Sequence, residues 1–310
     1  MPVEQAIRTE RHAAEAAWLA LRPGSPPATK IETLKETSKS AVYRLAGIGP
    51  KDSPVIAKRC EIESGLIECR IYEDVLPLLG IHSLRYYGSI PEDCGPFRWI
   101  FLEDSRGRQY EPEVNRDRDS IAQYVASLHS ASRMHPFQHL PNRTPAYYLT
   151  LLEESRAAID RFTRQSAIGA TDREALDAVL RECDRLQLTW SGFEGCCSVL
   201  PATVLHCDLR PKNIHIRVSD NRVFLLDWEY AGWGSPATDL AFLDLQAYWR
   251  SVKEHYPSLN IDVLLRMKKA GEVFQWIAAV GWASMSLRDD FKKSIDRLRS
   301  YAEYPAEWPS

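Results

Sequence analysis

Polar residues that can perform chemistry are concentrated in the stretch 204–244, close to short apolar segments. His206, Asp208 and Asn213 form the first cluster, and Asp227 directly follows a run of apolar residues. Two carboxylates and a carboxamide at strand ends supply the oxygen ligands that Mg²⁺ prefers. One of the carboxylates can also accept the proton of a hydroxyl group. The pattern therefore predicts a site that holds magnesium and a hydroxyl nucleophile beside a triphosphate.

The charges of these side chains suggest a role for each residue. Asp208 lies in a predicted loop and can accept or orient the proton of a substrate hydroxyl. Asn213 offers a neutral oxygen ligand, and Asp227 an anionic one, for a magnesium ion that bridges phosphates. His206 is expected to hold the loop by hydrogen bonding, and Arg210 to face the phosphate that is transferred.

Upstream, Lys58 lies among apolar residues in the predicted strand 54–60. A buried lysine needs a carboxylate partner, because its pKa otherwise falls. The following predicted helix, 61–79, carries Glu68 and Glu73, of which Glu68 is favoured and Glu73 is the alternative. Such a Lys–Glu pair would direct the ammonium at the α and β phosphates of a nucleotide.

The loop 35–40 joins the predicted strands 30–34 and 41–46 and is rich in hydroxyl groups. Its backbone N–H groups, together with the hydroxyls of Ser38 and Ser40, are suited to covering phosphates. The loop contains no glycine, however, and a polar hairpin turn accounts for the same residues. Both interpretations stay open from the sequence.

The composition limits the classes of function. The chain has 310 residues, 45% hydrophobic and 26% charged, which is enough for one large domain or two smaller lobes. The formal net charge is -3 and the basic residues are scattered, which argues against nucleic acid as a partner. Seven cysteines without CxxC spacing are typical of reduced, cytoplasmic thiols. The sequence has no signal-peptide pattern and no membrane-length apolar run, so we expect a cytoplasmic protein without a membrane partner.

The order of predicted elements indicates an α+β protein with two lobes. Apolar residues at helical spacing, followed by a Pro-rich stretch, predict an N-terminal helix and linker over residues 1–29. Short strands and one main helix predict a β-rich N-lobe over 30–103 that binds the nucleotide. An abrupt polar turn follows, and helical patterns then dominate 104–310, the predicted catalytic and substrate-binding C-lobe.

Three motifs in register resemble those of the aminoglycoside phosphotransferase/choline kinase family, relatives of the protein kinases. HCDLRPKN at 206–213 resembles the catalytic loop HGDxxxxN of that family, and LLDWE at 225–229 its metal-binding IDWE segment. GSPATDLA at 234–241 resembles its GdPxxDLA segment. The resemblance covers roughly 31–245, most of the chain.

The resemblance implies a bilobal protein-kinase-like fold with ATP and Mg²⁺ as cofactors. It places adenine on the backbone of Leu102, Glu103 and Asp104, and it implies that Asp239 braces the catalytic loop. GTP remains an alternative to ATP because the phosphate loop lacks glycine. The resemblance also implies that Lys58 binds the phosphates and that Asp208 is the catalytic base. It implies Asn213 and Asp227 as the magnesium ligands.

Two departures from the family pattern concern the catalytic loop. Cys207 stands where the family usually has glycine, and the Arg210-Pro-Lys run resembles the loop of protein kinases. The short gap between Asp227 and Asp239 nevertheless leaves no room for a peptide-docking activation segment. A small-molecule acceptor is therefore expected rather than a protein.

Acidic and aromatic residues beyond the catalytic loop are candidates for binding the acceptor. Carboxylates suit an amino sugar, and aromatic rings suit a sugar ring or a quaternary amine. Packing in the core is the alternative for each tryptophan. The candidates are Glu229, Tyr230, Trp233, Asp244 and Trp249, together with Tyr248, Trp276 and Trp282.

The sequence thus predicts an ATP-dependent kinase for a hydroxyl of a small, cationic molecule. An aminoglycoside or other antibiotic is favoured, which would make the protein a resistance enzyme, and an amino sugar is a further possibility. Alternatives are a choline/ethanolamine-type metabolite kinase, a nucleotide-binding pseudokinase module and a protein kinase. The expected state is a monomer or weak homodimer.

Overall fold

The computed structural model describes residues 11–165 and 168–303. The described chain forms two compact units, and the first takes in a later segment of the sequence. The predicted N-lobe ended at residue 103, whereas the first unit extends to residue 110 and adds the hairpin that carries Asp227. The first unit contains 11–110 and 212–230, and the second contains 111–165, 168–211 and 231–303.

The first unit is built on an antiparallel five-stranded sheet in the order β1-β2-β3-β5-β4. The strands predicted for this region are confirmed, with small differences in their ends. In β2 the alternating residues Ala41, Tyr43 and Leu45 are buried on one face, as expected for a strand. The strands are β1 (Lys30–Glu36), β2 (Ala41–Ala46), β3 (Val55–Glu61), β4 (Tyr86–Pro91) and β5 (Phe97–Glu103).

Two helices cover opposite faces of this sheet. Helix α1 (Ala13–Leu21) packs on the face that carries Tyr43, and the Trp18 ring meets the Phe101 ring edge-on at 5.2 Å. The part of the predicted N-terminal helix and linker (1–29) that precedes residue 11 lies outside the described residues. Helix α2 (Ile62–Arg70) lies on the other face. The chain continues from α2 through a single π turn, Ile71–Val75, into the short α3 (Leu76–Leu78).

A second, three-stranded sheet completes the first unit and carries the predicted metal ligands. Its order is β10-β9-β6, and β9 and β10 form an antiparallel hairpin. Asn213 immediately precedes β9, and Asp227 lies two residues after β10. The strands are β6 (Gly107–Gln109), β9 (Ile214–Arg217) and β10 (Val223–Leu225).

The second unit is mostly helical, with one small sheet in the order β7-β11-β8. Gly234 allows a close approach in this sheet, since a Cβ there would lie 2.1 Å from the Arg143 carbonyl oxygen. The strands of the sheet are β7 (Asn142–Arg143), β8 (Thr203–Leu205) and β11 (Gly232–Gly234). The helices are α4 (Asn115–Ser132), α5 (Pro145–Gln165), α6 (Ala170–Leu188), α7 (Trp190–Cys197), α8 (Ala237–Leu240), α9 (Leu245–Val252), α10 (Ile261–Met285) and α11 (Phe291–Glu303).

Helix α10 packs directly on α8 and so fixes the segment that contains Asp239. A Cβ at Gly271 would lie 1.8 Å from the Ala237 carbonyl oxygen, which means that only glycine permits this approach. Helix α6 begins at Ala170 with Gly169 as its N-cap. Among the described residues, no helix is long and apolar enough to cross a membrane.

Candidate active site

Lys58 is the centre of a buried ionic cluster in the first unit. Lys58 lies in strand β3, and its Nζ donates to Glu68 of helix α2 at 2.5 Å. The same Nζ also donates to Asp227, which follows β10. Lys58 is 9% exposed and Glu68 is 1% exposed, whereas Glu73 points to solvent. The structure therefore pairs Lys58 with Glu68, the partner that the sequence favoured, and not with Glu73.

The charges in this cluster depend on one another. Burial lowers the pKa of Lys58, but the charges of Glu68 and Asp227 outweigh burial and raise that pKa well above its ordinary value. Burial raises the pKa of Glu68, and Lys58 only partly offsets this. Burial also acts to raise the pKa of Asp227, yet Lys58 brings it below the usual range. Lys58 is thus a permanently charged lysine held between two carboxylates.

Asn213 and Asp227 form a donor set that suits a hard cation. The Leu226 N–H donates to the backbone carbonyl of Asn213 at 2.8 Å. This bond joins the segment that carries Asn213 to the residue before Asp227. Asp227 has a positive φ of 64°, a conformation that Asp tolerates better than most residues. One carboxylate and one carboxamide are oxygen ligands of the kind that Mg²⁺ prefers.

The predicted adenine-binding segment, Leu102 to Asp104, lies at the end of β5. The Glu103 N–H donates to the Arg85 carbonyl at 2.8 Å, so this donor is already used within the sheet. The carboxylate of Glu103 accepts from Arg217 at 2.6 Å, and that of Asp104 accepts from Arg44 at 2.7 Å. These ion pairs stiffen the segment around its backbone.

The predicted phosphate loop forms a tight hairpin turn between β1 and β2. The Thr37 N–H donates to the Ser40 carbonyl at 2.9 Å, and the Ser40 N–H donates to Thr37 Oγ1 at 3.0 Å. The Ser40 amide is therefore engaged within the turn. Ser38 is exposed at its tip.

The catalytic-loop motif lies in the second unit and is held by Asp239. The two carboxylate oxygens of Asp239 accept from the backbone N–H groups of His206 and Cys207 at 2.9 and 2.8 Å. The Asp208 N–H donates to His206 Nδ1 at 3.2 Å, so His206 holds the loop as predicted. Arg210 Nε lies 2.9 Å from the Asp208 carboxylate.

Two residues that the sequence did not single out for this role also hold the loop. Gln275 of α10 donates to the Cys207 carbonyl at 3.1 Å. His129 of α4 contacts Asp239 through Nε2 at 3.3 Å and Tyr248 through Nδ1 at 3.0 Å. An ionised carboxylate cannot donate, so the neutral tautomer has its proton on Nε2 and accepts from the tyrosine hydroxyl. A lone glutamine inside an apolar helix was the available signal for Gln275.

Replacing Asp239 by asparagine is expected to lower the free energy of unfolding by about 2 kcal/mol, because at least one of the three hydrogen bonds that this buried carboxylate accepts is lost. Chemical denaturation measures this loss. Asp244→Asn is the matched control: Asp244 caps α9 by accepting from the Ala247 N–H, and asparagine caps equally well. Equal losses in the two variants would contradict the bracing role of Asp239.

Cys207 adopts a backbone conformation that favours glycine, with a φ of 67°. This explains physically why glycine is the usual residue at this position of the motif. Its thiol is buried, and burial raises the pKa of the thiol, so it remains protonated and inert.

We expect Cys207→Gly to be more stable than Cys207→Ala by about 1 kcal/mol, because alanine keeps the left-handed backbone cost that glycine avoids. This order reverses the usual preference for alanine over glycine. Thermal and urea unfolding of the two variants measure it. An alanine variant that is the more stable of the two would show that the loop adopts another backbone conformation in solution.

The residues predicted to bind the acceptor have diverse environments. Glu229 is half-buried, and burial followed by the charge of Asp227 raises its pKa, whereas Tyr230 is exposed. Trp233 packs on Phe137, Trp249 donates to the Leu259 carbonyl, and Asp244 caps a helix. The remaining candidates are Tyr248 and Trp276, which are buried, and Trp282, whose ring lies under Arg297.

The β-rich N-terminal region and helical C-terminal part define a kinase-like phosphotransferase fold, and solved structures share it. One is APH(2")-IIIa with GDP and kanamycin, at 14% identity and a TM-score of 0.63, covering 93% of this chain and 96% of that one. A thermostable mutant of APH(4)-Ia with AMP-PNP and hygromycin B has 12% identity and a TM-score of 0.62, covering 95% and 98%. Choline kinase from Cryptosporidium parvum Iowa II has 13% identity and a TM-score of 0.58, covering 88% of each chain.

Residues 33–254 match the sequence profile of the phosphotransferase enzyme family. The chain therefore belongs to this family and is a small-molecule phosphotransferase. No curated protein sequence matches the chain.

Proposed function

We propose that the protein transfers the γ-phosphoryl group of ATP to a hydroxyl of a small, cationic molecule. The observation that carries this proposal is the buried lysine held by Glu68 and Asp227. A lysine that stays charged while buried is suited to binding phosphate oxygens rather than to acting as a base. In this role Lys58 contacts the α and β phosphates, and Glu68 fixes its direction.

Asp227 and Asn213 are the residues that would hold magnesium, and the segment Leu102 to Asp104 binds the base. The hydroxyls of Ser38 and Ser40 lie over the phosphates in this proposal. Magnesium, when bound, neutralises phosphate charge and orients the γ-phosphoryl group. Asp227 and Asn213 would hold magnesium bound to GTP as readily as magnesium bound to ATP. The choice between ATP and GTP therefore depends on how the protein binds the adenine or guanine ring.

Asp208 orients the acceptor hydroxyl and takes up its proton as the new O–P bond forms. The loop that carries Asp208 is already fixed by His206 and Asp239, so the carboxylate needs little rearrangement. Arg210 holds Asp208 in this structure, and its side chain is 60% exposed. It is therefore accessible to the transferred phosphoryl group, which it contacts as a cation.

Two observations support a cationic acceptor: a carboxylate close to the Lys58 ionic cluster, and the ligands bound in structurally similar proteins. Glu229 is half-buried and carries a carboxylate that an ammonium group would neutralise. Kanamycin and hygromycin B, in the complexes of two structural neighbours, are aminoglycosides. An aminoglycoside acceptor would make the protein an antibiotic-resistance enzyme. The similarity to a choline kinase supports a choline/ethanolamine-type acceptor as the second candidate.

An ADP-release screen of the full-length protein tests the proposal. Purified protein with MgATP is incubated with aminoglycosides, peptide antibiotics, amino sugars, choline and ethanolamine, and products are identified by mass spectrometry. Phosphorylation of an aminoglycoside or amino sugar supports the leading proposal, and phosphorylation of choline alone supports the alternative. Stabilisation by MgATP without transfer to any compound would instead indicate a nucleotide-binding module.

A further inference from the structure

Strand β1 contains a β-bulge just before the phosphate loop. Thr33 pairs with Tyr43 of β2, but the next pair is Lys35 with Val42, which leaves Leu34 as an extra residue. A bulge of this kind changes the face of the sheet on which the following side chains lie. Bulges are frequent next to functional sites for this reason.

The bulge places Lys35 on the same face of the sheet as Lys58. Val42 pairs with Lys58 on the other side of β2, so Lys35, Val42 and Lys58 lie in one line across three strands. Residues that pair directly in antiparallel strands share a face, and two strand spacings separate Lys35 from Lys58 by about 10 Å. In a regular strand Leu34 would pair with Val42, and Lys35 would face the opposite side, where α1 packs.

The charge of Lys35 acts on the same cluster as Lys58. Its charge acts on Asp227 and Glu229, to a smaller extent than that of Lys58. Its side chain is exposed and makes no hydrogen bond or ion pair with any residue that the structure describes. Lys35 is therefore a cation near the predicted phosphate site whose donors are available to a ligand.

The neighbouring turn is poorly equipped to bind phosphate through its backbone. It has no glycine, and the Ser40 amide already donates to Thr37 within the turn. A loop with fewer available amides needs another source of positive charge close to the phosphates.

We propose that Lys35 is a second phosphate-binding cation, which the bulge directs onto the sheet face that carries Lys58. Its charge takes the place of the backbone N–H groups that a glycine-containing loop would offer to phosphate. The inference rests on the proposed nucleotide-dependent function. Its ligand is the terminal part of the triphosphate, a group that carries more negative charge than Lys58 alone can balance. Loss of Lys35 should therefore weaken the binding of a nucleoside triphosphate but not that of a nucleoside. Loss of a residue that only stabilises the fold would weaken both.

Equilibrium binding by isothermal titration calorimetry tests this inference with MgATP, MgADP and adenosine. Lys35→Gln is expected to weaken MgATP binding about tenfold, which corresponds to about 1.4 kcal/mol, and to leave adenosine binding unchanged. Lys35→Arg keeps the charge and is expected to retain MgATP affinity within about twofold. The matched control is Lys30→Gln, which removes an exposed lysine on the same face at the far end of the same strand.

Three results would overturn the inference. Unchanged MgATP affinity in Lys35→Gln would show that Lys35 does not contact phosphate. An equal loss in Lys30→Gln would show a general effect of net charge, and an equal loss for adenosine would show a structural effect. If the wild-type protein bound no nucleotide, the proposed function would fail together with the inference. Nucleotide binding that is insensitive to Lys35 would leave the proposed function intact.

Discussion

Replacing Lys58 by methionine is expected to lower the free energy of unfolding by about 3 kcal/mol near pH 8 and to abolish tight binding of MgATP. The loss of stability arises because Glu68 and Asp227 would remain as uncompensated carboxylates in a buried site. The loss of binding arises because Lys58 is the residue that contacts the α and β phosphates in the proposed function. Urea denaturation and calorimetry measure the two effects.

The stability loss in Lys58→Met is expected to be smaller near pH 5 than near pH 8. Burial and the charge of Asp227 both raise the pKa of Glu68, and the variant lacks the lysine that opposes them. A folded-state pKa above the unfolded value means that the folded state takes up a proton first, so lowering the pH stabilises the variant. The wild-type protein is expected to gain less in this way, because Lys58 partly offsets the rise in the pKa of Glu68.

The double variant Lys58→Met/Glu68→Gln is the matched control. It removes one of the two carboxylates along with the lysine, so it is expected to recover part of the stability at pH 8 and to lose the pH dependence. It is not expected to recover MgATP binding. A Lys58→Met variant with wild-type stability at both pH values would contradict the buried ionic cluster.

Asp208→Asn is expected to reduce phosphoryl transfer by about a thousandfold, within the range by which a positioned general base accelerates a reaction. The substitution is nearly isosteric, and the backbone bonds that His206 and Asp239 make with the loop do not involve the Asp208 side chain. Folding and MgATP affinity are therefore expected to stay close to wild type. Quench-flow measurement of one turnover, with calorimetry for the affinity, separates the two properties.

Arg210→Gln provides a comparison for the Asp208 variant. It removes the partner of the Asp208 carboxylate, yet it keeps the base itself. A smaller loss than in Asp208→Asn is expected, on the order of tenfold, because one charge-assisted contact is removed. If Asp208→Asn transferred phosphate as fast as the wild type, Asp208 would not be the base.

Local patterns in the sequence predicted much of the fold. The strands β1, β2 and β3 begin and end within a few residues of the predicted strands 30–34, 41–46 and 54–60. The pairing of Lys58 with a glutamate of the following helix was also predictable from physical chemistry, because a buried lysine requires a nearby carboxylate. The α2 helix then brings Glu68, but not Glu73, to the sheet.

Contacts between distant parts of the chain were beyond a local reading. The ion pair between Lys58 and Asp227 joins residues in different sheets of the first unit, and no periodic pattern specifies it. The contact from Gln275 to the loop depends on how α10 packs at Gly271. The face on which Lys35 lies depends on a single extra residue, because a shift of one position moves a side chain to the other side of a strand.

The most direct test of the central claim follows the γ-phosphoryl group itself. Wild-type protein is incubated with γ-labelled ATP, magnesium and each candidate acceptor, and the label is followed into small molecules, inorganic phosphate and protein. We expect label on a small-molecule hydroxyl, in equal amount to the ADP formed, and a large reduction of this label in Asp208→Asn. Label found only in inorganic phosphate or on protein, with every acceptor tested, would contradict phosphoryl transfer to a small molecule.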